Sequence, residues 1–354
     1  MRDRRKRPGG KRLTGLWLAG VLFGVMFLCG CGDNVKLTTG LNPGELFRVE
    51  DVSCTEQEAR LFLMNQKNRY EAAYGKNIWN VPVGEENLAA YMEEQLKNFL
   101  FQLKCMVLMA RDRGIALNGE EKSRAEAAAA DYLAAIGSEA SSYVNISPEE
   151  LTGLYEEYRL AELLVEQVTA SVQDEISDDE ARIIEVQQIV FRRTRQGEDG
   201  TVVPLTDQEE KEVRSRAAGV AARAAQGDSF GNLQEIYSDE EAGSIRVGRY
   251  DVEESWEEAV FPLTPGQVSS LIETDEAFYV VRVVSNLLPE ETQANKEVIR
   301  ERRRAEVFYR EYETFLAGDL LILRAQDGWG KLSFDGSVPE CAEDFCAVYE
   351  KAFH

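Results

Sequence analysis

The feature that most constrains this chain is a change of hydrophobic period, met twice. From Thr55 to about Asp174, apolar residues recur every three or four positions, the spacing of helices with one buried face. Between Ile183 and Ser285, short β-branched runs alternate with short helical patterns. After Pro289 the helical spacing returns and continues to about Leu316. A chain written this way is neither one helical bundle nor one sandwich. The expected fold class is α+β, with helical segments before and after a mixed unit. At 354 residues, two or three domains are expected, and 44% hydrophobic residues leave room for a substantial core.

Local signals set the elements. Thr55 with Glu58, Asn118 with Glu121, and Thr206 with Glu209 have the spacing of capping boxes that open helices. Ser147-Pro148-Glu149-Glu150 opens another, with Pro in the first turn. Leu88, Met92, Leu96, Phe99, Leu103 and Val107 form the apolar stripe of a helix over about 85–113, stopped by Gly114. Strands are expected at 46–49, 183–191, 245–250 and 278–285, and short helices at 230–237 and 254–261. Residues 192–206 read as a polar loop. The middle of the chain thus reads β-α-α-β-α-β-β. Residues beyond 318, with Trp329, Leu332 and Phe334, read as a tail.

The first residues differ in kind. Seven Lys or Arg residues between Arg2 and Arg12 precede an uncharged run, Leu13–Gly30, which is the pattern of a secretion signal. The run ends in Leu28-Cys29-Gly30-Cys31, which resembles the lipobox of bacterial lipoproteins. That resemblance implies lipid on Cys31 and cleavage before it. An uncleaved anchor is the alternative, although 18 uncharged residues are at the lower limit for a membrane span. Either way the body lies outside, because the basic flank stays in the cytoplasm.

Removing residues 1–30 leaves 33 basic and 62 acidic residues, a formal charge of −29. Such a field repels nucleic acid and anionic lipid and favours basic, unfolded polypeptides; solubility alone is the plainer explanation. Cys341 and Cys346 are spaced to close a small loop, whereas Cys54 and Cys105 read equally as buried thiols. The one histidine is His354, the last residue. Triads, Cys-His pairs and histidine-rich metal sites need imidazole inside the fold, so no metal or other cofactor is expected.

Three segments resemble parvulin-type (PpiC, or rotamase) peptidylprolyl isomerases. They are Phe230-x-x-Leu233-x-x-x-Tyr237-Ser238, then Trp256–Ser269 with its Pro265-Gly266-Gln267-Val268, and the last strand, Val280–Val283. Tyr91–Gly114 and Tyr155-Glu156-Glu157-Tyr158 resemble the helical N-terminal domain of SurA. Together, behind a lipobox, they resemble the PrsA/SurA family of extracytoplasmic foldases. The resemblance implies a signal peptide at 1–30, a lipidated tether at 31–46 and a helical chaperone domain at 47–176. It further implies a parvulin-like domain at 177–288, a helix at 289–318 packing on the helical domain, and a tail at 319–354.

Two histidines at the pocket floor of this family fall on Gln188 and Tyr279, and its Cys or Asp falls on Glu240. Trp256, Phe261 and Val247 fall on its substrate-binding wall, although Trp256 suits a core equally well and Phe261 suits one better. Gln188 and Tyr279 can donate and accept hydrogen bonds but cannot share protons as a histidine pair does, unless they merely satisfy each other. The expectation is a chaperone on the outer face of the cell membrane that binds unfolded exported polypeptides, with weak or absent isomerase activity. A working isomerase and a structural or adaptor lipoprotein are the alternatives, and a homodimer stays open.

Overall fold

A computed structural model describes residues 40–172, 175–197, 200–325 and 328–354. The expected signal peptide, Cys31 and most of the expected tether lie outside the described residues. The chain divides into two compact units. One is built from the residues up to Ser171 together with Ala305–His354, and the other is Val172–Arg304. No helix among the described residues is long and apolar enough to cross a membrane.

The first unit opens with two antiparallel strands, β1 (Glu45–Val49) and β2 (Val52–Thr55), which lead into α1 (Glu56–Tyr74). A short hairpin, β3 (Pro82–Val83) and β4 (Glu86–Asn87), precedes α2 (Leu88–Asp112). Then come α3 (Gly119–Ala135), α4 (Ser138–Val144) and α5 (Pro148–Thr169). Asn118 and Ser147 form complete capping boxes with Glu121 and Glu150. Thr55 caps α1 by accepting from the Glu58 N–H at 3.3 Å, but the Glu58 carboxylate does not reach back.

That carboxylate has a stronger claim on it. Lys104 on α2 is fully buried, and its Nζ lies 2.6 Å from Glu58 Oε2 on α1 and 2.5 Å from Glu157 Oε2 on α5. An ammonium without water is held by charge partners or not at all. Burial acts to lower the lysine pKa, but the two carboxylates outweigh it and hold the group charged. One ion cluster therefore ties three helices together. Cys54 is buried beside it, and burial together with the Glu58 charge keeps the thiol protonated.

In the second unit, β5 (Ile183–Arg192) is followed by a hairpin of β6 (Thr194–Gln196) and β7 (Val202–Pro204). The hairpin occupies the segment expected to be a polar loop. Next are α6 (Asp207–Ala225), α7 (Phe230–Tyr237), β8 (Ser244–Gly248), α8 (Glu254–Val260), β9 (Ile272–Glu273) and β10 (Ala277–Ser285). The four longer-range strands form an antiparallel sheet in the order β8-β5-β10-β9. Strand alternation gives it two apolar faces. Ile189, Phe191, Phe278 and Val280 pack with Ala217, Val220, Phe230 and Leu233 of α6 and α7. Ile184, Val186, Val281 and Val283 pack with Trp256 and Val260 of α8. Helices on one face and a single helix on the other complete an α+β unit.

The helix expected over 289–318 is α9 (Pro289–Leu316), and the division between units falls inside it. Ile299 on its first half packs with Ile176 and Ala181 of the second unit, whereas Phe308 and Tyr312 belong to the core of the first. It is therefore not solely an element of the helical unit.

The segment after it is not a tail. Strand β11 (Ile322–Arg324) pairs with β1, Phe47 opposite Arg324, to complete a three-stranded sheet. Helix α10 (Phe345–Phe353) places Phe345 at the centre of the first unit, stacked on Tyr155 with ring centroids 4.2 Å apart and edge-on to Phe62 at 5.1 Å. Phe334 packs on Trp79 at 4.9 Å. Cys341 and Cys346 are free: the Cys341 Sγ donates to the Glu343 carbonyl at 2.8 Å, and burial pushes the Cys346 thiol up to about 12.

Candidate functional site

The site begins with the pairing of β5 and β10. Their register sets Gln188 opposite Val281 and Val190 opposite Tyr279. Directly paired residues share a face, so Gln188 and Tyr279 are diagonal neighbours on the face that carries Trp256. These three side chains wall a cavity of about 410 Å³ in the second unit. Ile245 from β8 and Tyr250 from the following turn line it too, and both are largely exposed, at 42% and 66%. Asp251, Val252 and Glu253 close one side, and Thr274 with Glu276 close another.

Gln188 is held from two directions. Its carbonyl accepts from the buried Gln234 side chain at 2.9 Å, and Gln234 also bonds the N–H and C=O of Gly243, at 3.2 and 2.9 Å. Gln234 thereby fastens the start of β8 to β5. The Gln188 side-chain amide donates to Glu240 Oε2 at 3.5 Å, and Glu240 also accepts from Arg192 at 3.3 Å. The Glu240 N–H in turn donates to Ser238 Oγ at 3.2 Å. Glu240 thus sits behind the cavity wall and reaches it through Gln188.

Tyr279 is half-buried beside Thr274. The Gln188 amide is directed to Glu240 rather than to Tyr279. Burial raises the Tyr279 pKa, the negative charges of Glu276, Glu240 and Glu253 add to that, and Thr274 opposes them without winning. The phenol stays a neutral donor throughout the ordinary pH range. Thr274 also shapes the wall: its Oγ1 accepts from the Glu276 and Ala277 N–H groups and donates to the Ala277 carbonyl, each at 3.2 Å. The Asp275 N–H donates to Glu253 at 3.2 Å and ties this turn to the other side of the cavity.

Two residues expected on the binding wall are elsewhere. Phe261 is buried beneath Trp256 and flanked by the guanidinium groups of Arg249 and Arg182, 4.7 and 5.2 Å from its ring centre. Val247 is buried in the same apolar cluster. Neither lines the cavity: Val247 shares the Ile245 face of β8 but sits one pair further along, opposite Ile184 and inside the apolar cluster, and Phe261 caps α8 against that same cluster. Tyr250 and the three carboxylates of Asp251, Glu253 and Glu276 were not singled out in the sequence. Tyr250 adopts a φ of 67°, a left-handed conformation without a sequence signal outside Gly and Asn. The acids read as ordinary loop residues.

The cavity offers an aromatic wall, two neutral donors and no imidazole. Turning an x-Pro bond meets a barrier of about 18–20 kcal/mol, which a catalyst lowers by weakening carbonyl–nitrogen resonance. Gln188 and Tyr279 can hold a peptide carbonyl but provide no shared proton near neutrality.

Residues 191–285 match the family model for the rotamase, or PPIC-type PPIASE, domain. The match begins three residues after Gln188 and includes Glu240, Trp256 and Tyr279. No curated protein matches the sequence. Among solved structures, peptidylprolyl isomerase PrsA of Bacillus cereus is 14% identical over 91% of this chain and 99% of that one, with a TM-score of 0.38. Foldase protein PrsA of Streptococcus pneumoniae is 15% identical over 81% and 97%, with a TM-score of 0.27. One of two SurA-like chaperones of Campylobacter jejuni, PEB4 and Cj1289, is 10% identical over 80% and 99%, with a TM-score of 0.28. Likeness at this level does not transfer a function; the family match over 191–285 is what bears on the site.

Proposed function

We propose, from the PPIC-type PPIase domain over residues 191–285, that this chain is a foldase that binds segments of unfolded polypeptide and catalyses prolyl isomerisation weakly or not at all. The observation that carries this reading is the composition of the cavity. Its back is Trp256, which is buried in the core beneath it and only 2% exposed, its mouth is apolar at Ile245 and Tyr250, and its floor is Gln188 and Tyr279. Exposed apolar groups around a concave site suit an extended chain that has not buried its own apolar residues. The basic, then apolar, N-terminal sequence supports export, and Cys31 supports a lipid tether on the outer face of the cell membrane. Labelled fatty acid would then be incorporated into the wild-type chain and not into Cys31→Ser; equal labelling of both would contradict the tether.

The test of the binding role is light scattering by a chemically unfolded client diluted into buffer. The full-length chain is expected to suppress aggregation near stoichiometric amounts. Ile245→Thr combined with Tyr250→Gly is expected to weaken that suppression, because it strips the apolar mouth while Gly suits the left-handed backbone at 250. Scattering that is the same with and without the chain would overturn the reading.

A further inference from the structure

The cavity carries a charge pattern that its aromatic wall does not explain. Asp251, Glu253 and Glu276 all line it, and none of the three forms an ion pair among the described residues. Among the described residues, the Asp251 side chain accepts from the Gly248 N–H, at 3.0 Å, and that of Glu253 from the Asp275 N–H, at 3.2 Å. The arginines nearby are paired with other carboxylates. Arg192 pairs with Glu240, Arg246 with Glu291, and Arg249 with Asp179 and Glu257; Arg193 donates to the Thr274 carbonyl of the cavity wall at 2.7 Å and pairs with Glu210. The mouth of the cavity therefore presents three carboxylates that none of these arginines neutralises.

We propose that this site selects polypeptide segments with Lys or Arg next to the residue seated between Ile245 and Tyr250, and that Asp251, Glu253 and Glu276 are its specificity-determining residues. This rests on the reading of the cavity as a peptide site, which comes from the family match and the aromatic wall; the carboxylates decide only what it takes. A cation entering here meets carboxylates from two sides, and the rings of Tyr250 and Tyr279 add faces that attract cations. An acidic or phosphorylated segment meets only repulsion, since no arginine is free to receive it. Charges arranged this way set partner choice more than overall affinity.

The test is fluorescence anisotropy of labelled peptides that differ only in the residue before a central proline, Lys, Ala or Glu, titrated with the full-length chain. The Lys peptide is expected to bind about tenfold more tightly than the Glu peptide at low salt, with the ratio shrinking at about 0.5 M salt as screening sets in. In Glu253→Gln/Glu276→Gln the ratio is expected to fall toward one at low salt as well. Binding of all three peptides with equal affinity would overturn the proposal and leave the peptide site standing. Binding of none would overturn both the proposal and the reading beneath it. A preference for Lys that persists in the double variant would also overturn it, since the charge would then act from elsewhere.

Discussion

Lys104 is worth more to this protein as a charge than as a length of hydrocarbon. It is fully buried, and its two carboxylate partners come from different helices. Lys104→Ala leaves Glu58 and Glu157 facing each other without a counter-ion, which is expected to cost about 3–5 kcal/mol in urea unfolding. Lys104→Met in Glu58→Gln/Glu157→Gln removes all three charges and should recover much of that loss; equal losses in both variants would contradict the account. The sequence shows the stripe around Lys104 but not the role of the residue, because a lysine one step off an apolar stripe reads as a solvated rim. The same limit applies at the cavity. Gln188 and Tyr279 are legible, since strand alternation and the family resemblance place them on one face. Asp251, Glu253 and Glu276 are not, since only the closing of two turns on each other brings them around one cavity.

Among the elements, those that carry their own signals were legible. Helices α3, α5 and α6 start where a capping residue and a glutamate three positions on say they should. Short elements were not: α4, the β6–β7 hairpin, β11 and α10 have too few residues for a period to stand out and are fixed by what they pack against. The C-terminal segment is the strongest case. Phe345 is buried against Phe62, Tyr132, Tyr155 and Tyr158, four rings from three helices. Phe345→Ala is therefore expected to destabilise the first unit by about 3–5 kcal/mol in denaturant unfolding, as for a large aromatic removed from a core. A loss below about 1 kcal/mol would mean that the segment only decorates the surface.

On the scale of the whole molecule, the first unit is made from two distant stretches of chain, with the PPIC-type unit between them. The return of helical spacing after residue 289 announced that arrangement, but the division inside α9 did not follow from it, because one uninterrupted helix has no sequence mark where its partners change. Acid should weaken both units, since hydrogen bonds from Thr206 lower Glu209 and one from Arg214 lowers Glu273 in the second, and two carboxylates of the first are lowered as well. Burial raises Glu71, but hydrogen bonds from Lys67 and Trp79 and the Lys67 charge bring its pKa below the ordinary 4.5, and Glu45 is lowered likewise through Arg48 and Asn42. A carboxylate with a depressed pKa in the fold stabilises it above its unfolded value and loses that contribution as pH falls through the folded one. Calorimetry should therefore show Tm falling below about pH 4.5; a Tm that is flat or rising from pH 5 to 3 would contradict this. The central proposal is that the PPIC-type unit binds without appreciable catalysis, with Gln188 and Tyr279 at the positions where the sequence resemblance would put histidines. The most direct measurement is a protease-coupled isomerisation assay on a panel of x-Pro peptides with the full-length chain, beside Gln188→His/Tyr279→His. The account predicts a wild-type rate at the uncatalysed level and a measurable gain in the double variant; a wild-type rate clearly above background, lost in Tyr279→Phe, would contradict it.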